Sequence, residues 1–315
     1  MQEQSNKNLL VCLTPLQMLI ASKIVDKNPI SYDLLCLSYN ENEKYDYYYK
    51  RLSHKSDLSW KFLIRSNNKL GRIYDLINFK LFLKKELSEK YENIYLASID
   101  NPFCHLLLSI VKKRKLMTFD DGSVNINEDS IYYKYAKKSL IQEGILRLLG
   151  NTYSILKVIT ESNVHFTIYE DSKNVVKNTT FISLFSELKT NLNKKKIKIF
   201  LGQPLNEIKG INIDEIFKFL LSENVEYYFP HPRERVSYKE FSYINSSLIF
   251  EDYILELLKE DYYIEIYTIL STAALNVASL ENVTVNVLYE EDLGLHYEKF
   301  YHLFNALNCN ILIVH

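Results

Sequence analysis

Short apolar runs of strand length alternate with segments of helical periodicity along nearly the whole chain, and this alternation constrains the fold more than any other feature. Asn8–Leu13 reads as a strand. Thr14, Pro15 and Gln17 then supply an N-cap, a first-turn proline and a capping-box partner for a helix running to about Val25. The pattern repeats with strands at Asp33–Leu37, Trp60–Ile64, Ile94–Ser98 and Leu116–Phe119, and with helices at Glu41–Leu52, Leu70–Leu87 and Pro102–Val111. Strands separated by helices imply a parallel, doubly wound α/β sheet. A helical region follows at Tyr135–Leu149, then a polar stretch from Glu170 to Lys196. The alternation restarts at Ile197–Leu201, with strands at Val225–Phe229, Leu248–Glu251, Tyr262–Tyr267, Val283–Val287 and Ile311–Val314. Helices are expected over Ile213–Leu221, in AALNVASL after Ser271 and Thr272, and over about Leu293–Leu307. Two Rossmann-like domains are therefore expected, over residues 1–170 and 197–315, joined by a crossover at 171–196, with a cleft between them.

Length and composition agree with a soluble globular protein: 315 residues, 47% apolar and 24% charged. The net charge of −1 argues against a dedicated nucleic-acid binder, and the basic runs at Lys112–Lys115 and Lys189–Lys198 read first as solvated faces. Four scattered cysteines, Cys12, Cys36, Cys104 and Cys309, contain no CxxC pair and suggest reduced thiols in a cytoplasmic protein without a zinc site. No segment has the length of a membrane span, so any membrane association is expected to be peripheral. With only seven glycines the chain has neither GxGxxG nor a Walker loop. A bound phosphate must then be held by side chains and helix N-termini.

Chemistry-bearing residues gather at the ends of these strands, where α/β sheets bind ligands. The run VEYYFPHPRE stops at His231 between Pro230 and Pro232, which hold it in an extended turn. Such a histidine can serve a phosphate leaving group, or it can simply close the strand. The fifth strand runs into Asp120, Asp121 and Gly122, which place two carboxylates at a strand end or form a plain turn. Glu207 follows the loop at Gly202, and Glu251 follows an apolar run. Ser271 and Thr272 open a helix, where hydroxyls and backbone N–H groups would make a phosphate seat. Arg233 with Glu234 reads as a local surface pair.

TFDDGSVN at Thr118–Asn125, FPHPRE at Phe229–Glu234, FEDYI at Phe250–Ile254 and STAAL at Ser271–Leu275 resemble the bacterial sialyltransferases of glycosyltransferase family 52, which make lipooligosaccharide and capsule sialosides. The likeness extends to LLVCLTPLQM, NEKYDYYY and IYLAS, and so spans nearly the whole chain. It implies a GT-B fold, CMP-activated sialic acid as donor, no metal or other cofactor, and a homodimer that exchanges parts of its N-terminal domain. It also implies a galactose-terminated glycan acceptor and an α-2,3 product, although the residues themselves leave 2,3 and 2,6 linkage open. The location implied is cytoplasmic, with peripheral contact at the inner face of the membrane. His231 matches the family histidine that contacts the donor phosphate and acts as general acid. Ser271 and Thr272 match positions that bind the same phosphate, and Glu251 a carboxylate near the nucleoside. Gly202, Pro232, Thr14 and Gln17 complete the expected substrate-binding set. The loop Gly202–Glu207 matches GxPDxE except that Leu205 stands where the family has an aspartate. The general base then falls to Glu207 or to Asp121, with Asp121 favoured and Asp120 orienting the loop. The alternatives are a transferase of the same fold using another nucleotide sugar, and a catalytically weakened sugar-nucleotide-binding protein.

Overall fold

Asparagine does much of the local folding work in a chain so poor in glycine. Asn42, Asn68, Asn101 and Asn212 each accept a hydrogen bond from a first-turn backbone N–H and so start a helix. Asn224, Asp261 and Asn308 adopt positive φ just past helix ends, a conformation that short polar side chains tolerate. The computed structural model describes residues 7–134, 140–184, 195–234 and 236–314.

The chain divides into two compact units, Met1–Leu184 and Phe185–His315. The first holds β1 (Asn8–Cys12), β2 (Tyr32–Ser38), β3 (Ser59–Leu63), β4 (Lys90–Leu96), β5 (Lys112–Phe119), β6 (Ser162–Thr167) and β7 (Thr179–Phe181). They pair in parallel in the order β3-β2-β1-β4-β5-β6-β7. Its helices are α1 (Pro15–Lys27), α2 (Glu43–Ser53), α3 (Lys69–Glu86), α4 (Pro102–Ile110), α5 (Ile131–Lys134), α6 (Leu140–Leu148) and α7 (Ile155–Glu161). β1 and β2 are buried along their full length, as central parallel strands covered on both faces must be. Phe79 and Leu83 of α3 and Phe103 and Leu107 of α4 close one such face.

The second unit holds β8 (Lys195–Leu201), β9 (Tyr227–Phe229), β10 (Ser242–Tyr243), β11 (Tyr262–Thr268), β12 (Val283–Tyr289) and β13 (Asn310–Ile313), in the order β10-β9-β8-β11-β12-β13 and again all parallel. Its helices are α8 (Ile213–Ser222), α9 (Phe250–Lys259) and α10 (Glu291–Ala306). Phe200, Phe217, Tyr228 and Phe241 form an aromatic cluster under β8 and β9, with ring centroids 5.2–6.3 Å apart.

Three local expectations change. Leu248–Glu251 is not a strand: Phe250 begins α9, whose apolar residues recur at helical spacing and whose first turn carries Glu251 and Asp252. The segment after Ser271 is a short 3₁₀ turn, Thr272–Val277. β7 lies within the expected crossover, where Thr179–Phe181 pairs with His165–Thr167 and extends the first sheet. Of that crossover, residues 185–194 lie outside the described residues, as does the first part of the helix expected over Tyr135–Leu149; α6 occupies the remainder.

Candidate active site

In both units the chain leaves the middle strand toward one side of the sheet and later returns on the other. The crevice at the carboxyl ends of those two central strands is the place where such a sheet can receive a ligand.

In the first unit, that crevice lies at the ends of β1 and β4, with β5 beside them. Thr14 caps α1, its Oγ1 accepting the Gln17 N–H at 3.3 Å. The Gln17 side chain closes the box one residue earlier than expected, accepting the Leu13 N–H at 2.6 Å. Gln17 is fully buried, so its amide is set in place, and its Nε2 donates to Ser98 Oγ at 2.9 Å and to Asp121 Oδ1 at 2.5 Å. Ser98 and Tyr132 donate to Asp121 Oδ2 at 3.1 and 2.9 Å. Asn125 Oδ1 accepts the Asp121 N–H at 2.7 Å, and Gly122 turns the loop with φ of 74°. Burial, then the negative Asp121 carboxylate, push the Tyr132 phenol far above its ordinary value, so it stays a donor. Asp121 itself is half-buried.

Asp120 has a different setting. It is completely buried and accepts from His165 Nε2 at 2.8 Å, Thr167 Oγ1 at 2.7 Å, the Ile168 N–H at 2.7 Å and Asn174 Nδ2 at 3.1 Å. His165 is buried too, its Nδ1 against Thr118 Oγ1 at 2.8 Å. Four donors fill the lone pairs of this carboxylate, which ties the loop to β6.

In the second unit, β8 and β11 flank the crevice. Gln203 Oε1 accepts the Leu270 N–H at 2.9 Å and bridges the two strand ends. His231 follows β9. The Arg233 N–H donates to His231 Nδ1 at 3.1 Å, which places the proton of the neutral ring on Nε2. The Glu234 carboxylate accepts the His231 N–H at 2.6 Å and the Tyr228 hydroxyl. Burial raises the Glu234 carboxyl above the usual carboxylate range, opposed by these two hydrogen bonds. Gly202 makes this arrangement possible: a Cβ there would stand 2.5 Å from the Tyr228 ring and 2.7 Å from Glu234 Oε2. Pro232 is exposed beside His231.

Glu251 does not end a strand. It sits buried in the first turn of α9 and accepts from Asn276 Nδ2 at 2.6 Å. Ser271 and Thr272 are half-exposed at the end of β11, where Ser271 N–H reaches Thr268 Oγ1 at 3.4 Å. They head a 3₁₀ turn with no side-chain cap, so the helix-dipole part of the expected phosphate seat is absent and the hydroxyls remain. Leu205 is buried, and Glu207 is exposed and paired with Arg233 at 3.3 Å. Arg233 and Glu234 are therefore not partners: one faces Glu207 and the other turns inward. Ser98, Tyr132 and Asn125 around Asp121, and Asn276 beside Glu251, are the polar residues that sequence reasoning did not single out. All four cysteines are free and buried, and burial raises Cys36 and Cys309 to about 12, so their thiols stay protonated.

Two parallel, doubly wound sheets, each in its own unit, give the chain a fold of the GT-B class. The whole fold is similar to that of the kitacinnamycin glycotransferase, with a TM-score of 0.50 at 8% identity over 98% of this chain and 86% of that one. The chain belongs to glycosyltransferase family 52, whose sequence profile matches residues 34–292. It is 33% identical to the CMP-N-acetylneuraminate:beta-galactoside alpha-2,3-sialyltransferase of Pasteurella multocida (strain Pm70), over 97% of this chain and 98% of that protein. Identity to the N-acetyllactosaminide alpha-2,3-sialyltransferase of Neisseria meningitidis is 31%, over 99% of this chain and 86% of that protein. For the Haemophilus influenzae protein of the same name it is 31%, over 89% and 91%.

Proposed function

We propose that this chain is an inverting α-2,3-sialyltransferase that moves sialic acid from CMP-N-acetylneuraminate to a galactose-terminated glycan of capsule or lipooligosaccharide. The observation that carries this reading is the kinship to three sialyltransferases along almost the entire chain.

In this reading each unit contributes one half of the reaction. Asp121 is the general base: Gln17 occupies one lone pair of Oδ1 and Ser98 and Tyr132 both those of Oδ2, leaving one on Oδ1 for the acceptor hydroxyl. Thr14 and Gln17 border that position, Gln17 acting through Asp121. Glu207 is the weaker candidate, since it is held in solvent by Arg233. Leu205 cannot take a proton. As the bond to the anomeric carbon lengthens, negative charge grows on the departing CMP phosphate. His231 Nε2–H and the hydroxyls of Ser271 and Thr272 donate to it there. Gly202, Pro232 and Glu251 line the nucleotide. The reaction needs no metal in this reading, because the donor is already activated and these groups meet the developing charge. The reading includes a homodimer, in the cytoplasm or peripheral at the inner face of the membrane. Among the described residues no helix is long and apolar enough to cross a membrane.

The test is incubation with CMP-N-acetylneuraminate and a panel of β-galactosides, with CMP release measured and the new linkage read by NMR. A 2,3-linked product is expected. Release of UDP from a UDP-hexose instead would assign another donor, and CMP binding without turnover would leave only a binding protein.

A further inference from the structure

The outward face of α3 plays no part in this reaction. Leu70, Tyr74, Ile77 and Leu81 are exposed to 80%, 65%, 42% and 62%. Their spacing of four, three and four residues sets them on one stripe about 60° wide along the helix. Leu76, Phe79 and Leu83 on the other side already fill the core. A single exposed leucine is ordinary, but four large apolar residues in register form a binding face.

The charges around the stripe identify what it meets. α3 carries Lys69, Arg72, Lys80, Lys84 and Lys85 against Asp75 and Glu86, and both acids are engaged. Asp75 is buried and accepts the Ser66 N–H at 2.9 Å, and Glu86 pairs with Lys85 at 3.0 Å. Lys80 Nζ donates to the Leu149 carbonyl at 2.7 Å, bringing the end of α6 alongside with Leu148, itself 87% exposed. A second copy presenting the same helix would set Lys84 against Lys69 if antiparallel and against Lys84 if parallel, so self-association is opposed by charge. An anionic surface suits both features.

We propose that α3 docks this protein on a membrane containing anionic phospholipid, with Leu70, Tyr74, Ile77 and Leu81 at the acyl boundary and Lys69 and Lys84 at the level of the phosphates. The proposal deepens the peripheral location given above but does not depend on the donor assignment. The experiment is sedimentation of the full chain with vesicles of phosphatidylcholine alone or mixed with phosphatidylglycerol, at low and high salt. Binding is expected to the mixed vesicles, weakening with salt. The double variant Ile77→Gln/Leu81→Gln should lower the partition coefficient at least about tenfold. Lys84→Glu/Lys85→Glu should lower it several-fold and blunt the salt effect. Turnover of a soluble galactoside should be unchanged in both, which verifies the fold. Absence of vesicle binding, or equal binding by the variants, overturns the proposal. So does a dimer seen by light scattering that Ile77→Gln/Leu81→Gln dissociates, because a second copy would then be the occupant. Loss of turnover with every acceptor in the unaltered protein bears on the donor assignment alone.

Discussion

At the scale of single residues, two adjacent aspartates sit in opposite settings. Asp120 is saturated by four donors in a dry site, and Asp121 keeps one lone pair and some exposure. Asp121→Asn is therefore expected to lower turnover about 10²- to 10⁴-fold while CMP still binds, measured by CMP release and by calorimetry. Glu207→Gln should stay within about threefold of the parent; the reverse ranking would move the base to Glu207. DDG and HP were visible in the sequence as short strand-end motifs. Gln17 was visible as a candidate, but its bond to Asp121 and that of Ser98 were not, because the two residues lie 104 and 23 positions from Asp121 and only the sheet brings them together. Glu234 was visible and misassigned, since its charged neighbour Arg233 offered a simpler partner. Its raised carboxyl gives a pH test. The folded state holds the proton more tightly than the unfolded chain, so this contribution to stability is present below the usual carboxylate range and is lost as pH rises through the raised value. Glu234→Gln, which still offers an oxygen to the His231 N–H, should remove that dependence in denaturant titrations from pH 4 to 8. An unchanged pH profile would show that Glu234 titrates normally.

At the scale of elements, the loops that end β8 and β9 act as one piece. Gly202 has ordinary φ, so its glycine is required by space: Tyr228 and Glu234 occupy the volume of a side chain. Gly202→Ala is expected to cost about 1–3 kcal/mol in denaturant unfolding, as overpacking does, and to lower turnover through the displaced His231 loop. Stability loss with unchanged turnover would separate that loop from the reaction. Helices α1, α2, α3, α4 and α8 were legible, and each start carries a side-chain cap. A cap is neither necessary nor sufficient: α10 was legible from its apolar spacing without one, α7 was missed although Ser154 caps it, and α9 was missed where Ile249 offers no side-chain acceptor. β6 and β10 were hidden for another reason: SNVHFT and SY lack the unbroken apolar run of β1 or β2, and both owe their place to partners in the sheet.

At the scale of the whole molecule, the same strand order occurs twice, and this repeat was readable from the alternation of apolar runs because parallel strands buried on both faces leave a strong signal. The boundary between the units was harder, since β7 is a three-residue edge strand with exposed side chains in polar sequence. Two units with separate cores give the donor a definite address. The proposed nucleotide contacts, Gly202, His231, Glu251, Ser271 and Thr272, all lie in the second unit, and Asp121 lies in the first. CMP alone should therefore stabilise the second unit by mass action, about 2.7 kcal/mol at a hundredfold excess over Kd. Hydrogen exchange followed by mass spectrometry should show added protection in peptides covering 201–207, 229–234 and 250–276. Those covering 13–17 and 118–125 should change little until an acceptor analogue is added, because Asp121 is meant to act on the acceptor hydroxyl, which CMP does not supply. Protection by CMP concentrated at 118–125, with none at 229–234, would mean that the nucleotide occupies the first unit, and the roles given to Asp121 and His231 would both fall.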